Sequence, residues 1–314
     1  MGILVIILIG YGASGMEYQV SSRAEYCNFR LSILSCPVSR YRSTRPDPRS
    51  KLRAPFLLRI AEIEERREAE RFPFTLPFMR RGGFALEFTN PVTFLVGENG
   101  TGKSSLLEAI ARNAGFNARG GSRDNAYGGE SDEFGLAAAL TWSWLPKVTN
   151  GFFFRAESFF SFVTYVEQAY KEDHKIPPWG TRSLHACSHG EAFLSFFDTR
   201  LGSDQRCIYL LDEPEAALSP ERQLEFMAML DEHRASGNAQ YIIATHSPLL
   251  MGFPGADLLH LSHRGLRRTT LAETPHFRIY QEFCRDPARY LEGELQRIAE
   301  ERQEAQSEDD EEGA

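Results

Sequence analysis

Residues 91–105 read PVTFLVGENGTGKSS, and the rest of the chain is best read outward from them. Residues 92–96 form a short apolar run of strand type. Gly97, Glu98, Asn99, Gly100, Thr101, Gly102, Lys103 and Ser104 follow at once, in the spacing G-x-x-x-x-G-K-[ST]. Residues 105–111, starting with Ser105, carry apolar side chains at helical spacing, so the order is strand, loop, helix. Glycines let such a backbone wrap a polyphosphate so that successive N–H groups point inward. The helix N-terminus adds the positive end of its dipole. In this loop type Lys103 reaches the β- and γ-phosphates and the Ser104 hydroxyl holds Mg²⁺.

The composition is ordinary for a soluble globular chain: 42% hydrophobic and 25% charged over 314 residues. The net charge of −8 is concentrated at one end. Residues 300–314 hold eight acids and one Arg, which leaves the body near neutral. Charge therefore gives no support to a nucleic-acid partner. The five cysteines, Cys27, Cys36, Cys187, Cys207 and Cys284, show no metal-type spacing and are expected as free thiols. No run approaches the ~20 apolar residues of a membrane span. The apolar stretch 2–10 lacks the preceding positive charge of an export signal, so a cytoplasmic protein without a membrane partner is expected.

Residues 40–53, RYRSTRPDPRSKLR, read as a solvated linker. Strands are predicted at 56–60, 84–88, 136–144 and 152–154, with an aromatic, proline-punctuated stretch at 71–78. Residues 114–133 are loop-like. Helices are predicted at 157–171 and 189–200, the second with Phe193, Phe196 and Phe197 on one side as core. Strands then alternate with helices to about residue 260, which indicates an α/β sheet. Residues 275–302 look helical, and 307–314, SEDDEEGA, look disordered.

Three further motifs carry chemistry. Residues 207–211, CIYLL, form a continuous apolar strand ending on Asp212 and Glu213, and ligands bind at the carboxyl ends of such buried parallel strands. An Asp there can hold Mg²⁺, and the next Glu can orient or deprotonate an attacking water. The strand at 241–244 ends in Thr245-His246-Ser247-Pro248, where the imidazole can contact a γ-phosphate or position the water. Ser188 and Glu191 form a capping box, and a Ser cap followed by Gly190 also makes an anion site at a helix N-terminus.

Taken together, these residues resemble ABC-type ATPases over roughly residues 55–261, with Walker A at 97–104, a signature at 187–191, Walker B at 208–213, then D-loop and switch histidine. Cys187-Ser188-His189-Gly190-Glu191 stands where the family usually has L-S-G-G-Q, and its two departures resemble those of small stand-alone ATPases. The resemblance implies that Lys103 and Ser104 bind phosphate and Mg²⁺, that Asp212 supports the metal, and that Glu213 is the catalytic base. It implies a D-loop at 215–219, a switch role for His246, and a Ser188 and Gly190 that reach the γ-phosphate of ATP on the opposite subunit. The Q-loop glutamine is missing from its place. Gln168 lies in a predicted helix, so Glu157, just past the strand at 152–154, is the candidate to serve on the metal side. Phe74 or Phe78 precedes the loop where the family stacks adenine, though core packing accounts for either.

The expected fold is thus an α/β P-loop NTPase of ABC type, a mixed or parallel sheet with helices on both faces and a short inserted helical subdomain. The expected layout is an extension at 1–54, an ATPase domain at 55–268 with an insert at about 115–185, packed helices at 269–302 and a disordered tail at 303–314. The expected function is Mg-dependent ATP hydrolysis by a homodimer that closes on ATP and serves an unnamed partner. The alternatives are an ATPase acting on nucleic acid or the ATP-binding subunit of a membrane transporter.

Overall fold

The computed structural model describes residues 52–117, 120–121, 135–200 and 205–312. The extension up to residue 51 and most of the loop at 114–133 lie outside the described residues.

Strand β3 (Val92–Val96) is buried at all five positions because it runs through the middle of a six-stranded sheet. Its parallel neighbours are β7 (Ala239–Ala244) and β8 (Asp257–Ser262). Beyond β7 lie β6 (Cys207–Asp212) and then β5 (Gly151–Arg155), also parallel. On the far side β9 (Gly265–Thr269), which the sequence pattern did not reveal, pairs antiparallel with β8. It is an edge strand of sequence GLRRT, and Arg268 reaches across to Asp257 at 2.8 Å. Parallel strands covered on both faces read as near-continuous apolar runs, as β6 does and as β3 and β7 do but for Thr93 and Gln240.

Alternate residues of those strands feed two cores. Leu95, Ile208, Leu210 and Ile242 face helix α1 (Lys103–Ala114) and a small antiparallel sheet of order β2-β1-β4. That sheet comprises β1 (Leu57–Glu62), β2 (Ala85–Glu87) and β4 (Leu140–Trp144). Phe94, Tyr209, Leu211 and Ile243 face the other way, toward helices α2 (Phe159–Glu172), α3 (His189–Arg200) and α4 (Pro220–Ser236). Buried Gln240 ties the sheets together: its Oε1 accepts from the backbone N–H groups of Phe56 and Leu57, each at 2.8 Å, and its Nε2 donates to the Leu57 carbonyl. The predicted aromatic stripe of α3 is core, with Phe193 stacked on Phe197 at 4.4 Å and edge-on to Phe154 at 4.8 Å.

Three expectations change in detail. Residues 136–139 form a 3₁₀ turn before β4, so the strand predicted at 136–144 is shorter. Among the described residues of the segment at about 115–185, α2 is the one long helix, while β4 belongs to the small sheet and β5 to the large one. At the C-terminal end, α6 (Pro275–Arg285) contacts the short helix α5 (Pro248–Met251), whereas α7 (Pro287–Glu312) lies almost wholly exposed along its described side chains. The backbone stays helical to Glu312, past the point where composition suggested disorder. Glu, Gln, Ala and Arg are good helix formers, and Gln296 bonds Glu300 one turn on, at 3.0 Å.

Candidate active site

The loop after β3 is shaped by glycines that no other residue replaces. Gly97 has φ 148°, and a Cβ there would sit 2.3 Å from the Leu261 carbonyl oxygen. Gly102 has φ 95°, and its Cβ would sit 2.6 Å from the Phe78 ring. Phe78 and Phe74 are core residues, both 4% exposed, so neither is a free stacking platform. Helix α1 starts at Lys103 with Gly102 as its cap and no side-chain acceptor, which leaves its first N–H groups for an anion. Lys103 is buried, and its Nζ donates to the carbonyls of Gly97 at 2.7 Å and Glu98 at 2.9 Å. Burial lowers its pKa, while Glu213, Asp212, Glu215 and Glu98 push the other way.

Ser104 Oγ donates to Asp212 Oδ1 at 3.1 Å, joining the start of α1 to the end of β6. Burial raises the Asp212 pKa to about 6, against the Ser104 bond and the nearby Arg155. A hydroxyl and a carboxylate in this pairing fit Mg²⁺: a cation between them would restore the charged carboxylate that burial disfavours. Arg155 closes β5 opposite Asp212 in the parallel register, and its Nε lies 3.8 Å from Asp212 Oδ2. It also pairs with Glu108 and, at 3.8 Å, with Glu157. Glu157, expected on the metal side, meets Arg155 and not Asp212 in this structure. Its side chain is 85% exposed, and among the described residues the polar partners of Asp212 are Ser104 and Arg155. The chain leaves β5 into a 3₁₀ turn at Ala156–Ser158, which points Glu157 outward.

Glu213 follows Asp212 in the left-handed region, at φ 52° and ψ 54°, with its N–H donating to the Ala244 carbonyl. Its Oε1 lies 3.6 Å from His246 Nε2. His246 stands past the end of β7, the neighbour of β6, so the acidic pair and the imidazole share one sheet edge. Its backbone N–H donates to Glu215 Oε1 at 2.5 Å, and its Nδ1 lies 3.0 Å from His276 Nε2. Burial, then Lys103 and His276, lower the His246 pKa to about 4, so the ring is neutral near pH 7. Burial raises the pKa of Glu215.

Ser188 accepts from the N–H of Glu191, and its own N–H donates to Glu191 Oε2 at 3.0 Å, so the capping box is formed. Those bonds hold the Glu191 carboxyl below its usual range. Ser188 is exposed, and its side chain makes no polar contact with the glycine-rich loop among the described residues. Gly190 lies against the turn after Glu213: a Cβ there would be 3.4 Å from the Ala217 carbonyl oxygen. The structure thus groups Lys103, Ser104, Asp212, Glu213 and His246, and sets Ser188 and Gly190 on a separate helix end. Sequence reasoning placed Glu215 only in the D-loop, without its bond to the His246 N–H, and missed Arg155 and His276. Neither of those two had a local signal, since each meets its partner across distant stretches of chain.

Two family models match this chain: an "AAA domain" over residues 76–155, and an "AAA domain, putative AbiEii toxin, Type IV TA system" over residues 192–252. The cytochrome c biogenesis ATP-binding export protein CcmA of Paracoccus denitrificans is 34% identical over 170 residues, covering 53% of this chain and 74% of that one. The chain belongs to the ABC ATP-binding protein family. It is an ABC-type P-loop ATPase, an enzyme that binds and hydrolyses ATP. Among solved structures, cbiO1 of Clostridium perfringens, part of an ABC transporter complex, aligns at TM-score 0.41 and 17% identity over 68% of this chain and 91% of that chain. An ATP-binding cassette of an ABC transporter in its ADP conformation aligns at TM-score 0.42 and 14% identity, over 72% and 99% respectively. Among the described residues of this ABC-type ATPase, no helix is long and apolar enough to cross a membrane.

Proposed function

We propose that this ATPase works as a two-fold homodimer that closes on two ATP and reopens after hydrolysis, passing its nucleotide state to a protein partner in the cytoplasm. The observation that carries the reading is the meeting, at one sheet edge, of the Ser104–Asp212 pair and the Glu213–His246 pair. In this reading the loop N–H groups and Lys103 hold the phosphates. Lys103 exchanges two neutral carbonyl partners for anionic oxygens, a stronger bond. Ser104 and Asp212 would hold Mg²⁺, which when bound neutralises charge developing on the transferred phosphoryl. Glu213 accepts a proton from the attacking water, and neutral His246 donates toward the γ-phosphate.

The far side of that phosphate needs donors too, and the exposed capped end of α3 supplies them from a second subunit. An isologous pair then presents Ser188 and Gly190 of each chain to the nucleotide of the other. The likeness to CcmA, an ATP-binding export protein, supports a second reading in which the partner is a membrane component.

Turnover and nucleotide binding test the chemistry. Lys103→Ala should abolish ATP binding. Glu213→Gln should bind ATP as wild type does and turn over at least about a hundredfold more slowly. Equal turnover in wild type and Glu213→Gln overturns the assignment. Faster turnover only with membrane vesicles from the source cell selects the second reading.

A further inference from the structure

His276 lies outside every motif of the ATPase, yet its ring meets the switch histidine. It occupies the second position of α6, after Pro275. Thr274, 1% exposed, fixes that helix start: its hydroxyl donates to the Leu271 carbonyl at 2.7 Å and accepts from the Phe277 N–H. Leu271 packs against the core on the α3 side of the sheet. The His276 ring is therefore held from below by packed structure.

The hydrogen bond between His246 Nδ1 and His276 Nε2 has two arrangements, and the surroundings choose between them. Both rings are shifted toward the neutral form, chiefly by burial, so each carries one ring proton. Among the described residues, His246 Nε2 and His276 Nδ1 are both buried without another hydrogen-bond partner. If His246 donates, His276 carries its proton on Nδ1, as a buried N–H with no acceptor. His246 would also turn a lone pair toward the Glu213 carboxylate 3.6 Å away. If His276 donates, its Nδ1 is only an unused acceptor, and His246 turns an N–H toward that carboxylate. A buried orphan donor costs more than an unused acceptor, and an N–H facing a carboxylate is attractive.

We infer that His276 is a positioning residue for the ATPase: its Nε2–H donates to His246 Nδ1 and holds His246 in the tautomer that presents Nε2–H toward Glu213. The inference rests on the proposed site, since only there does that proton face the reacting phosphate. It ties the C-terminal helix α6 to the chemistry. The tautomer of a histidine is set by the bond its other nitrogen makes, and a wrong tautomer costs rate rather than binding.

The test is ¹⁵N NMR of ring-labelled full-length protein, with kinetics of two variants. Wild type should show His246 protonated on Nε2 and unprotonated on Nδ1. His276→Phe keeps the ring volume without a donor: the His246 signals should shift toward a tautomer mixture and kcat should fall about tenfold or more, with ATP affinity unchanged. His276→Gln places an amide N–H near the same reach and should recover most of kcat. His246 protonated on Nδ1 in wild type overturns the inference, and so does a His276→Phe enzyme with full kcat. Glu213→Gln separates the failures. If that variant is inactive while His276→Phe is fully active, the site stands and the positioning role falls. If it is fully active, the site itself falls, and the wild-type tautomer still judges the bond to His276.

Discussion

Glu213 Oε1 lies 3.6 Å from His246 Nε2, and the Glu213 backbone holds that approach from the left-handed region at φ 52°. A non-glycine residue there costs about 1–2 kcal/mol, and Pro214 restricts its predecessor further. The fold tolerates the strain because the Glu213 N–H is fixed to the Ala244 carbonyl on the next strand. Strain kept at a position that aims a carboxylate is the pattern of a functional site.

Glu213→Gly should therefore stabilise the protein by about 0.5–1 kcal/mol while abolishing turnover. Urea denaturation alongside an ATPase assay checks both. A Glu213→Gly protein less stable than wild type contradicts the strain argument.

Gly102→Ala should do the reverse of a silent change. Its Cβ would meet the Phe78 ring at 2.6 Å, and its φ of 95° disfavours any side chain. A loss of about 2 kcal/mol or more is expected, with ATP affinity at least tenfold weaker because the loop must move. Wild-type affinity in a fluorescent-nucleotide titration would show that the loop is softer than described.

His246 should make stability sensitive to mild acid. Its folded pKa of about 4 lies below the ordinary value of 6.5, so the unfolded chain takes up the proton first. Stability then falls as pH drops through 6.5 and levels off below about 4, by an amount that solvent screening of the part-exposed ring reduces. Asp212 and Glu215, raised by burial, act in the opposite direction, so the comparison is with His246→Gln. Denaturation midpoints of that variant should depend less on acid than those of wild type. An equal dependence contradicts a buried neutral ring.

Much of the site's placement was legible in the sequence because its parts sit at strand ends. Residues 92–96, apolar but for Thr93, are β3 itself, and Asp212 closes β6 as the continuous run at 207–211 suggested. What escaped notice depends on distant pairing. Arg155 reaches Asp212 only because β5 and β6 lie in parallel register, 57 positions apart in the chain. Glu157 follows β5 directly in sequence, but its side chain is exposed and meets Arg155 rather than Asp212. His276 meets His246 across 30 positions, with α5, β8 and β9 between them. The small sheet was partly hidden because β4 starts only after a 3₁₀ turn of alanines, a composition that favours helix over strand.

Deleting residues 307–314 should leave melting within about 2 °C and turnover unchanged, since SEDDEEGA has no apolar residue to bury except Ala314. Differential scanning fluorimetry checks this. A larger loss would show that the acidic end docks on the ATPase body.

The most direct measurement is sedimentation velocity of Glu213→Gln with and without saturating Mg-ATP, repeated for Glu213→Gln combined with Ser188→Arg. Without nucleotide the monomer should predominate. With Mg-ATP the single variant should sediment as a dimer, and the double variant should bind ATP yet remain a monomer. A Glu213→Gln protein that stays monomeric at saturating Mg-ATP, or a double variant that dimerises as readily, contradicts a nucleotide shared between Lys103 of one subunit and Ser188 of the other.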